Sequence, residues 1–205
     1  MLETVLKNAS FNFSSFNLYV QDESRFGLFT RNGKSLTAKG VKPICTYQNV
    51  FRSTYIFGAF SPYNGDSLVM ELPYCNGDNF QIFLNELSKN NPQEFKVVVL
   101  DNGAFHKSKS LAIPDNIALL FLPPYSPELN PAELVWLNMK RKTTNKIYKT
   151  MEELKIKLDE IVKELITEKF VKIYAVLIIS LFKSDCLICL NGIRHKKIRS
   201  LLNGF

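Results

Sequence analysis

The chain has 205 residues, of which 46% are hydrophobic and 22% charged, and its formal net charge is +7. This length allows one domain with a substantial core and an appendage, and the composition is that of an ordinary globular protein. The cysteines are too few and scattered for a disulfide scaffold and indicate a reducing compartment: Cys45, Cys75, Cys186 and Cys189. The positive charge favours a polyanionic partner, although a merely basic protein would show the same charge.

The first part of the chain predicts an antiparallel meander. Residues 16–24 form a short apolar strand that runs into two acidic residues. Asn32-Gly33 is a hairpin turn signal, and residues 45–60 are rich in β-branched and aromatic side chains. A second turn signal, Asn64-Gly65, leads into a further strand.

The middle of the chain predicts a helix followed by a buried strand. Residues 77–91 place large apolar side chains on one helical face, with Asp78 as the expected N-cap. The segment 95–106 begins with a continuous Val and Leu run, which is typical of a strand covered on both faces. Asp101 lies where this strand stops, and a short helical segment is expected near 105–112.

The last predicted strand, residues 117–122, leads through a proline-rich loop into two helices. Residues 130–133 read Asn-Pro-Ala-Glu, in which Asn caps the helix, Pro takes the first turn and Glu occupies the third position. A capping box at 150–153 begins an amphipathic helix that extends to about residue 169. This order of elements predicts an α/β protein with a mixed sheet and helices on its faces.

The chemistry available to this chain rests on its carboxylates. The sequence has no P-loop, no dinucleotide-binding glycine motif and no G-x-S-x-G elbow, and its two histidines, His106 and His195, cannot form a two-histidine zinc motif. Asp22 and Asp101 each end a predicted strand, and Glu133 lies in the first turn of a helix. Neighbouring strands would bring the first two together, and the helix would place the third over them.

Three converging carboxylates suit Mg²⁺ or Mn²⁺, which prefer hard oxygen ligands. Two such ions about 3.5–4 Å apart can activate an attacking water or hydroxyl and stabilise the leaving oxygen of a phosphodiester. The helix N-terminus would help to keep Glu133 ionised, and a basic surface would hold a nucleic acid backbone. The pattern predicts metal-dependent phosphoryl transfer on nucleic acid.

Three segments resemble, in order, the signature blocks of DDE transposases from the mariner-related bacterial insertion-sequence group. They read "QDESRFGL", "VVVLDNGAFH" and "LFLPPYSPELNPAELVW". The similarity covers roughly residues 17–145, and the proline-rich third block is highly specific. The resemblance implies an RNase H-like fold with a mixed five-stranded sheet flanked by helices, and it implies cut-and-paste transposition of DNA.

The resemblance also assigns roles to individual residues. It makes Asp22, Asp101 and Glu133 the catalytic triad, which would bind two Mg²⁺ or Mn²⁺ ions. It places three further side chains in or beside the site: Glu23, Asn102 and His106. It implies DNA as the partner, both as transposon ends and as target, and a homodimer assembled on that DNA.

Each acid has an alternative role. Glu133 could be only a helix-capping residue, and Glu128 is a rival acid in the same loop that we expect to face solvent. Asp101 could form a plain turn with the following Asn-Gly. Glu23 could replace Asp22 as the ligand, but strand alternation sends the two to opposite faces, and the family pattern favours Asp22.

Other residues near these blocks have competing interpretations. His106 could be a structural histidine with satisfied hydrogen bonds, and we place it beside the acids. Trp136 and Met139 share a helical face and are expected in the core rather than stacked on DNA bases. The same helix carries three successive basic residues that could contact DNA phosphates or form a solvated face: Lys140, Arg141 and Lys142.

The ends of the chain depart from the family pattern. We expect residues 1–170 to form the catalytic domain and residues 171–205 to form an atypical tail, with a frameshifted extension as one explanation. Within that tail, residues 173–182 are apolar but shorter than the about 20 residues of a membrane span. Cys186 and Cys189 form a lone C-x-x-C pair, for which apolar packing is expected rather than zinc.

Complete transposases of this group carry an N-terminal helix-turn-helix region, and we expect this region to be missing here. We expect a separate partner or an upstream segment to supply that region. The first ten residues have no apolar core of a signal peptide, so a bacterial cytoplasmic, nucleoid-associated location is expected. Besides the transposase, two functions remain open: an inactive remnant that only binds or assembles on DNA, and a stand-alone RNase H-like nuclease.

Overall fold

The computed structural model describes residues 13–34, 36–108, 110–123 and 130–165. Within these ranges the chain forms five strands, three α-helices and one short 3₁₀ helix. In chain order they are β1 (Ser15–Gly27), β2 (Ser53–Phe60), β3 (Ser67–Leu72), α1 (Gly77–Lys89), β4 (Glu94–Leu100), the 3₁₀ helix (Ala104–Lys107), β5 (Ile117–Phe121), α2 (Ala132–Thr143) and α3 (Met151–Leu165).

The five strands form one mixed sheet in the order β3-β2-β1-β4-β5. The three strands at one side pair antiparallel, as the turn signal at Asn64-Gly65 indicates, and β1, β4 and β5 pair parallel. Strand β4 is buried along its whole length, as expected for a Val-rich strand in the middle of a covered sheet. The predicted five-stranded sheet flanked by helices is confirmed.

Helices cover both faces of the sheet, and alternation along β1 assigns its side chains to one face or the other. Tyr19 points to the face covered by α1, where it joins Phe57 and Phe83 in one apolar cluster. Val20 points to the opposite face and packs in the cluster that contains Trp136 and residues of α3. The expected core location of Trp136, and of Met139 beside it, is confirmed.

The register of β1 and β4 brings two of the predicted acids to the same edge of the sheet. These parallel strands pair up to Val20 and Val99. Asp22 and Asp101 each lie two residues beyond that last pair, Asp101 just after the end of β4. The prediction that Asp22 ends its strand is wrong, because β1 continues to Gly27 through its pairing with β2, and Asp22 lies within it opposite Gly58. This edge is the place where parallel α/β sheets commonly bind their ligands.

The connection between β1 and β2 differs from the prediction. Strand β2 begins at Ser53, so the β-rich residues 45–52 do not extend it, and the described residues between the two strands contain no regular element. Gly33 does not form a hairpin turn between paired strands. Its amide donates to the Asn145 Oδ1 across 2.8 Å, which attaches this long loop to the C-terminal end of α2.

Three helix starts also refine the prediction. The N-cap of α1 is Asn76, not Asp78, because the Asn76 Oδ1 accepts a hydrogen bond from the Asn79 amide. The helix α2 begins at Ala132 with Pro131 at the N-cap position, not Asn130, although the Asn130 Oδ1 accepts a hydrogen bond from the Ala132 amide. The helical segment expected near 105–112 is only the 3₁₀ helix Ala104–Lys107.

Several sequence-based predictions lie outside the described residues. They concern Glu128 in the proline-rich loop, the continuation of α3 beyond residue 165, and the whole of residues 171–205, including Cys186, Cys189 and His195. Among the helices of the described ranges, none has the length and apolar character needed to cross a membrane.

Candidate active site

The three predicted acids occupy one region at the carboxyl edge of the sheet. Asp22 lies in the middle of β1, just past its last pair with β4, Asp101 directly follows β4, and Glu133 lies in the first turn of α2. Burial raises the pKa of the Asp22 carboxyl to about 7. A hydrogen bond from the backbone of Glu23 opposes this rise, and the negative charges of Glu23, Asp101 and Glu133 add to it. These carboxylates therefore act on one another electrostatically.

Two contacts from the α2 region hold β1 beside Asp22. The Trp136 Nε1 donates a hydrogen bond to the Asp22 Oδ2 across 3.0 Å. The Asn130 Nδ2 donates to the backbone carbonyl of Gln21 across 2.9 Å, and Asn130 itself is buried. Because Asn130 also accepts from the first amide of α2, it joins the start of that helix to the strand that carries Asp22.

On the other face of the sheet, His106 lies between two acids. Its Nε2 is 3.0 Å from the Glu23 Oε1, and its Nδ1 is 2.9 Å from the Asp101 Oδ1. The second contact is ionic rather than a well-aligned hydrogen bond. Burial alone would lower the pKa of His106, but its hydrogen bond to Glu23 and the charges of Glu23 and Asp101 hold that pKa above its ordinary value.

Strand alternation separates Asp22 and Glu23 on β1, as predicted. Asp22 contacts Trp136 on the α2 side, whereas Glu23 accepts from the Gln21 Nε2 across 2.7 Å and contacts His106. The Glu23 side chain is 8% exposed and the His106 side chain 1%. The His106 imidazole therefore contacts both Glu23 and Asp101.

The loop after β4 depends on a glycine. The Gly103 amide donates to the Asp101 Oδ1 across 2.9 Å, so Asp101 forms the turn that its Asn-Gly neighbours suggest. A side chain at Gly103 would place its Cβ 2.9 Å from the His106 Nδ1 and 3.1 Å from the Asp101 Oδ1. The close approach of His106 to Asp101 therefore requires glycine at this position.

Asn102 lies beside the acids and connects two strands. Its side-chain amide donates to the Leu122 carbonyl just after β5, and its Oδ1 accepts from the Lys107 Nζ. Lys107 also lies over the Phe121 ring, 5.1 Å from the centroid. Asn102 thus fixes the ends of β4 and β5 relative to each other.

The three basic residues of α2 do not form one surface. Burial lowers the pKa of Lys140, the charge of Arg31 lowers it further, and the charges of Asp22 and Glu133 raise it. Lys140 therefore lies on the side of the acids, together with Arg31. The other two point elsewhere, because successive helical residues are rotated by about 100°.

Lys142 and Arg141 face away from the acids. The Lys142 Nζ is 2.6 Å from the Glu164 Oε2 of α3, and Arg141 is exposed. Sequence reasoning missed Arg31 because it belongs to a distant loop. That loop is attached to the end of α2 by a hydrogen bond from the Asn145 amide to the Arg31 carbonyl, at 2.9 Å.

The donor chemistry at this edge fits a divalent cation. The acids that act on Asp22 offer only carboxylate oxygens, which Mg²⁺ and Mn²⁺ prefer, and their mutual repulsion is what such a cation would neutralise. Within the described ranges, however, no set of three or more His, Cys, Asp or Glu side chains is already arranged as a metal-binding cluster. The acids are close enough to repel one another without converging on one point.

Comparison with known proteins agrees with the geometry. The sequence matches the DDE superfamily endonuclease family over residues 17–155. It is 40% identical over 102 residues to a protein from Sinorhizobium fredii (strain NBRC 101917 / NGR234) named "Uncharacterized protein y4pE/y4sA". That match covers 49% of this chain and 76% of the relative.

The fold is similar to that of the Mos1 transposase. The Mos1 paired-end complex with the left transposon end matches with a TM-score of 0.64 and 15% identity, over 92% of this chain and 60% of the Mos1 chain. The Mos1 mariner paired-end complex with Mn gives a TM-score of 0.63 and 16% identity, with the same coverage of 92% and 60%. This chain thus spans about 60% of the length of the Mos1 chains.

At such low identity the structural similarity concerns the fold, and the sequence match carries the family assignment. That match spans more than half of the chain and includes Asp22, Asp101 and Glu133. The protein belongs to the DDE superfamily of endonucleases.

Proposed function

We propose that this chain is the catalytic domain of a DNA transposase, with Asp22, Asp101 and Glu133 as its metal-binding triad. The reaction would cleave a DNA strand at the end of a mobile element and join the freed 3′-hydroxyl to target DNA. The observation that carries the proposal is the electrostatic coupling of these three acids at the carboxyl edge of the sheet. The Mos1 complexes, one with a transposon end and one with Mn, have the same fold and support the choice of DNA and a divalent metal.

The metal would supply Lewis acidity at the scissile phosphate and lower the pKa of the attacking hydroxyl or water. The chain's own residues would orient the reactants. Asn130 fixes the start of α2, and therefore Glu133, against β1. His106 restrains Asp101 from the other face of the sheet.

DNA would be held by positive charge near the acids. Lys140 and Arg31 lie on the side of Asp22 and Glu133, and a cation here would neutralise a backbone phosphate. Arg141 and Lys142 face away from the acids, and Lys142 is engaged by Glu164, so Lys140 is the residue of this basic stretch that we place on the DNA surface. Reading of the element's terminal repeats would come from a helix-turn-helix partner or segment, and a homodimer would bring two ends together.

The test is a cleavage and joining assay on labelled DNA duplexes with Mg²⁺ or Mn²⁺. Asp22→Asn, Asp101→Asn and Glu133→Gln should each abolish metal-dependent products while the protein stays folded. The matched control is Glu86→Gln, which removes a partly exposed acid of α1 that pairs with Lys89 and lies outside the candidate site. This control should cleave like the unaltered chain.

The products separate the transposase from its alternatives. Cleavage followed by joined products supports the proposal. Cleavage without joining, even with a helix-turn-helix partner added, would favour a stand-alone nuclease. DNA binding without any cleavage would favour an inactive remnant, and Glu133 would then be only a residue of the helix start.

A further inference from the structure

The indole of Trp136 makes a polar contact that the proposed reaction does not by itself explain. Its Nε1 donates to the Asp22 Oδ2 across 3.0 Å, although the residue is 3% exposed and lies in the apolar core. Trp136 follows Glu133 by one turn of α2, so both residues occupy the same side of the helix. One helix thus carries one acid of the triad and contacts another.

The strand opposite Asp22 is built to admit this indole. Gly58 of β2 is the register partner of Asp22. A Cβ at Gly58 would lie 2.8 Å from the Trp136 Cη2 and 2.7 Å from two ring atoms of Phe60. The missing side chain therefore leaves the space that the Trp136 ring occupies beside Asp22.

Phe60 completes the pocket but offers no hydrogen bond. Its ring packs edge-on against the Trp136 ring, with the centroids 5.7 Å apart and the planes at 66°. If apolar packing were the only role of Trp136, this contact with Phe60 would suffice and no hydrogen bond would be needed. An indole nitrogen can only donate, and its hydrogen bond to a carboxylate is charge-assisted and directional.

We infer that Trp136 is a positioning residue, which fixes the orientation of the Asp22 carboxylate. The absence of a side chain at Gly58 makes room for the Trp136 ring in this position. The effect of this positioning on the reaction rests on the proposed function, in which Asp22 binds the metal. Groups that hydrogen-bond a metal ligand set its orientation, and their removal costs about 10–100-fold in metal affinity or activity. Trp136 would therefore link the geometry of Asp22 to the position of Glu133.

The first measurement detects the hydrogen bond without any metal. Trp136 is the only tryptophan of the chain, so a ¹⁵N-labelled protein gives a single indole Nε1–H resonance. This resonance should be protected from solvent exchange. It should shift clearly in Asp22→Ala and in Gly58→Ala, but much less in Asp101→Asn.

The second measurement follows metal binding. Free Mn²⁺, quantified by its electron paramagnetic resonance signal, should show about tenfold weaker binding to Trp136→Phe than to the unaltered full chain. Phe60→Leu is the matched control, because it loosens the same aromatic pocket and leaves the donor to Asp22 in place. It should bind Mn²⁺ within about twofold of the unaltered chain at a comparable melting temperature. Bound Mn²⁺ should also broaden the indole resonance.

The outcomes distinguish this inference from the proposed function. Equal Mn²⁺ affinity of Trp136→Phe and the unaltered chain would overturn the positioning role alone, as would equal weakening by Phe60→Leu. An indole resonance unchanged by Asp22→Ala would overturn it even if Trp136→Phe failed to fold. If Asp22→Asn and Asp101→Asn left Mn²⁺ binding unchanged, the metal site of the proposed function would fail, and the positioning role would fail with it.

Discussion

Asn130 and Gln21, 109 positions apart in the chain, are joined by a hydrogen bond from the Asn130 side chain to the Gln21 carbonyl. This contact connects the chain just before α2 to β1, next to Asp22. Because the same side chain also accepts from the Ala132 amide, Asn130 satisfies two backbone groups at once. The position of Glu133 relative to Asp22 therefore depends on the uncharged side-chain amide of Asn130.

We expect Asn130→Ala to lose both stability and activity. A buried carbonyl and a helix-start amide would each lose a partner, at a cost of about 1–3 kcal/mol in the free energy of unfolding. Urea unfolding measures this loss, and the cleavage assay should show a larger relative loss than partial unfolding explains. Asn85→Ala, at an exposed position of α1, should stay within about 0.5 kcal/mol. Full activity in Asn130→Ala would show that α2 is fixed by other contacts.

His106 and Glu23 should behave as a coupled pair. Replacing either residue alone, by His106→Gln or Glu23→Gln, leaves a buried polar partner without its counterpart. A double-mutant cycle of unfolding free energies should therefore give an interaction energy of about 0.5–3 kcal/mol. His106→Gln should also slow cleavage by about tenfold or more through the loosened Asp101. Additive unfolding energies would contradict the pairing.

Lys96 gives a pH dependence far from the acids. Its side chain is fully buried, with its Nζ 2.8 Å from the Asn91 carbonyl and 3.7 Å from the Glu94 Oε1. Burial lowers the pKa of Lys96 below its unfolded value of 10.5, although the nearby acids Glu94 and Asp66 oppose the shift. The folded protein therefore releases this proton at a lower pH than the unfolded chain does.

Between the pKa of Lys96 in the folded protein and that in the unfolded chain, the unfolded chain binds more protons. The contribution of Lys96 to the free energy of unfolding therefore rises with pH and is complete above pH 10.5. Tyr19 acts oppositely, since burial raises its pKa and its contribution is lost above about pH 10. Comparison with Lys96→Met removes the Tyr19 effect, because both proteins contain it. From pH 8 to 10 the unaltered chain should gain unfolding free energy relative to Lys96→Met, and a flat difference would refute the lowered pKa.

The basic residues should differ in their effect on DNA affinity. Each phosphate contact adds about 0.9 to the slope of log affinity against log salt concentration on duplex DNA. Lys140→Ala and Arg31→Ala should each reduce this slope by about one contact, whereas Lys142→Ala should change it less because of its Glu164 partner. Fluorescence anisotropy at several salt concentrations measures the slopes. Equal slopes for all three variants would contradict the conclusion that Lys140 and Arg31 contact DNA whereas Lys142 is held by Glu164.

Much of the fold could be predicted because local patterns and the sheet agree. The apolar run before Asp101 is typical of a strand covered on both faces, as β4 is. This strand pairs parallel with β1. Propensity predicts a strand for the β-rich residues 45–52 because propensity ignores pairing, but in the described structure these residues do not belong to a strand. Asn76 and Asp78 are both good caps, so propensity alone could not choose between them.

The candidate site was only partly visible in the sequence. The strand end at Asp101 and the helix start at Glu133 are correctly predicted without tertiary information, whereas Asp22 lies within β1, which continues to Gly27 because it pairs with β2. The polar contact of Trp136 was not visible, because an apolar helical face predicts burial and cannot show that Gly58 leaves a space beside Asp22. Arg31 was missed for a similar reason, since its loop reaches α2 only through Asn145.

The contacts that build this site join distant parts of the chain. Trp136 meets Asp22 across 114 positions, and His106 meets Glu23 across 83. Contacts of such long range form late in folding, because the intervening loop must close first. A ribosome-bound chain that has not yet released α2 therefore holds Asp22 and Asp101 without Glu133, and the acids act as one group only after synthesis has passed that helix.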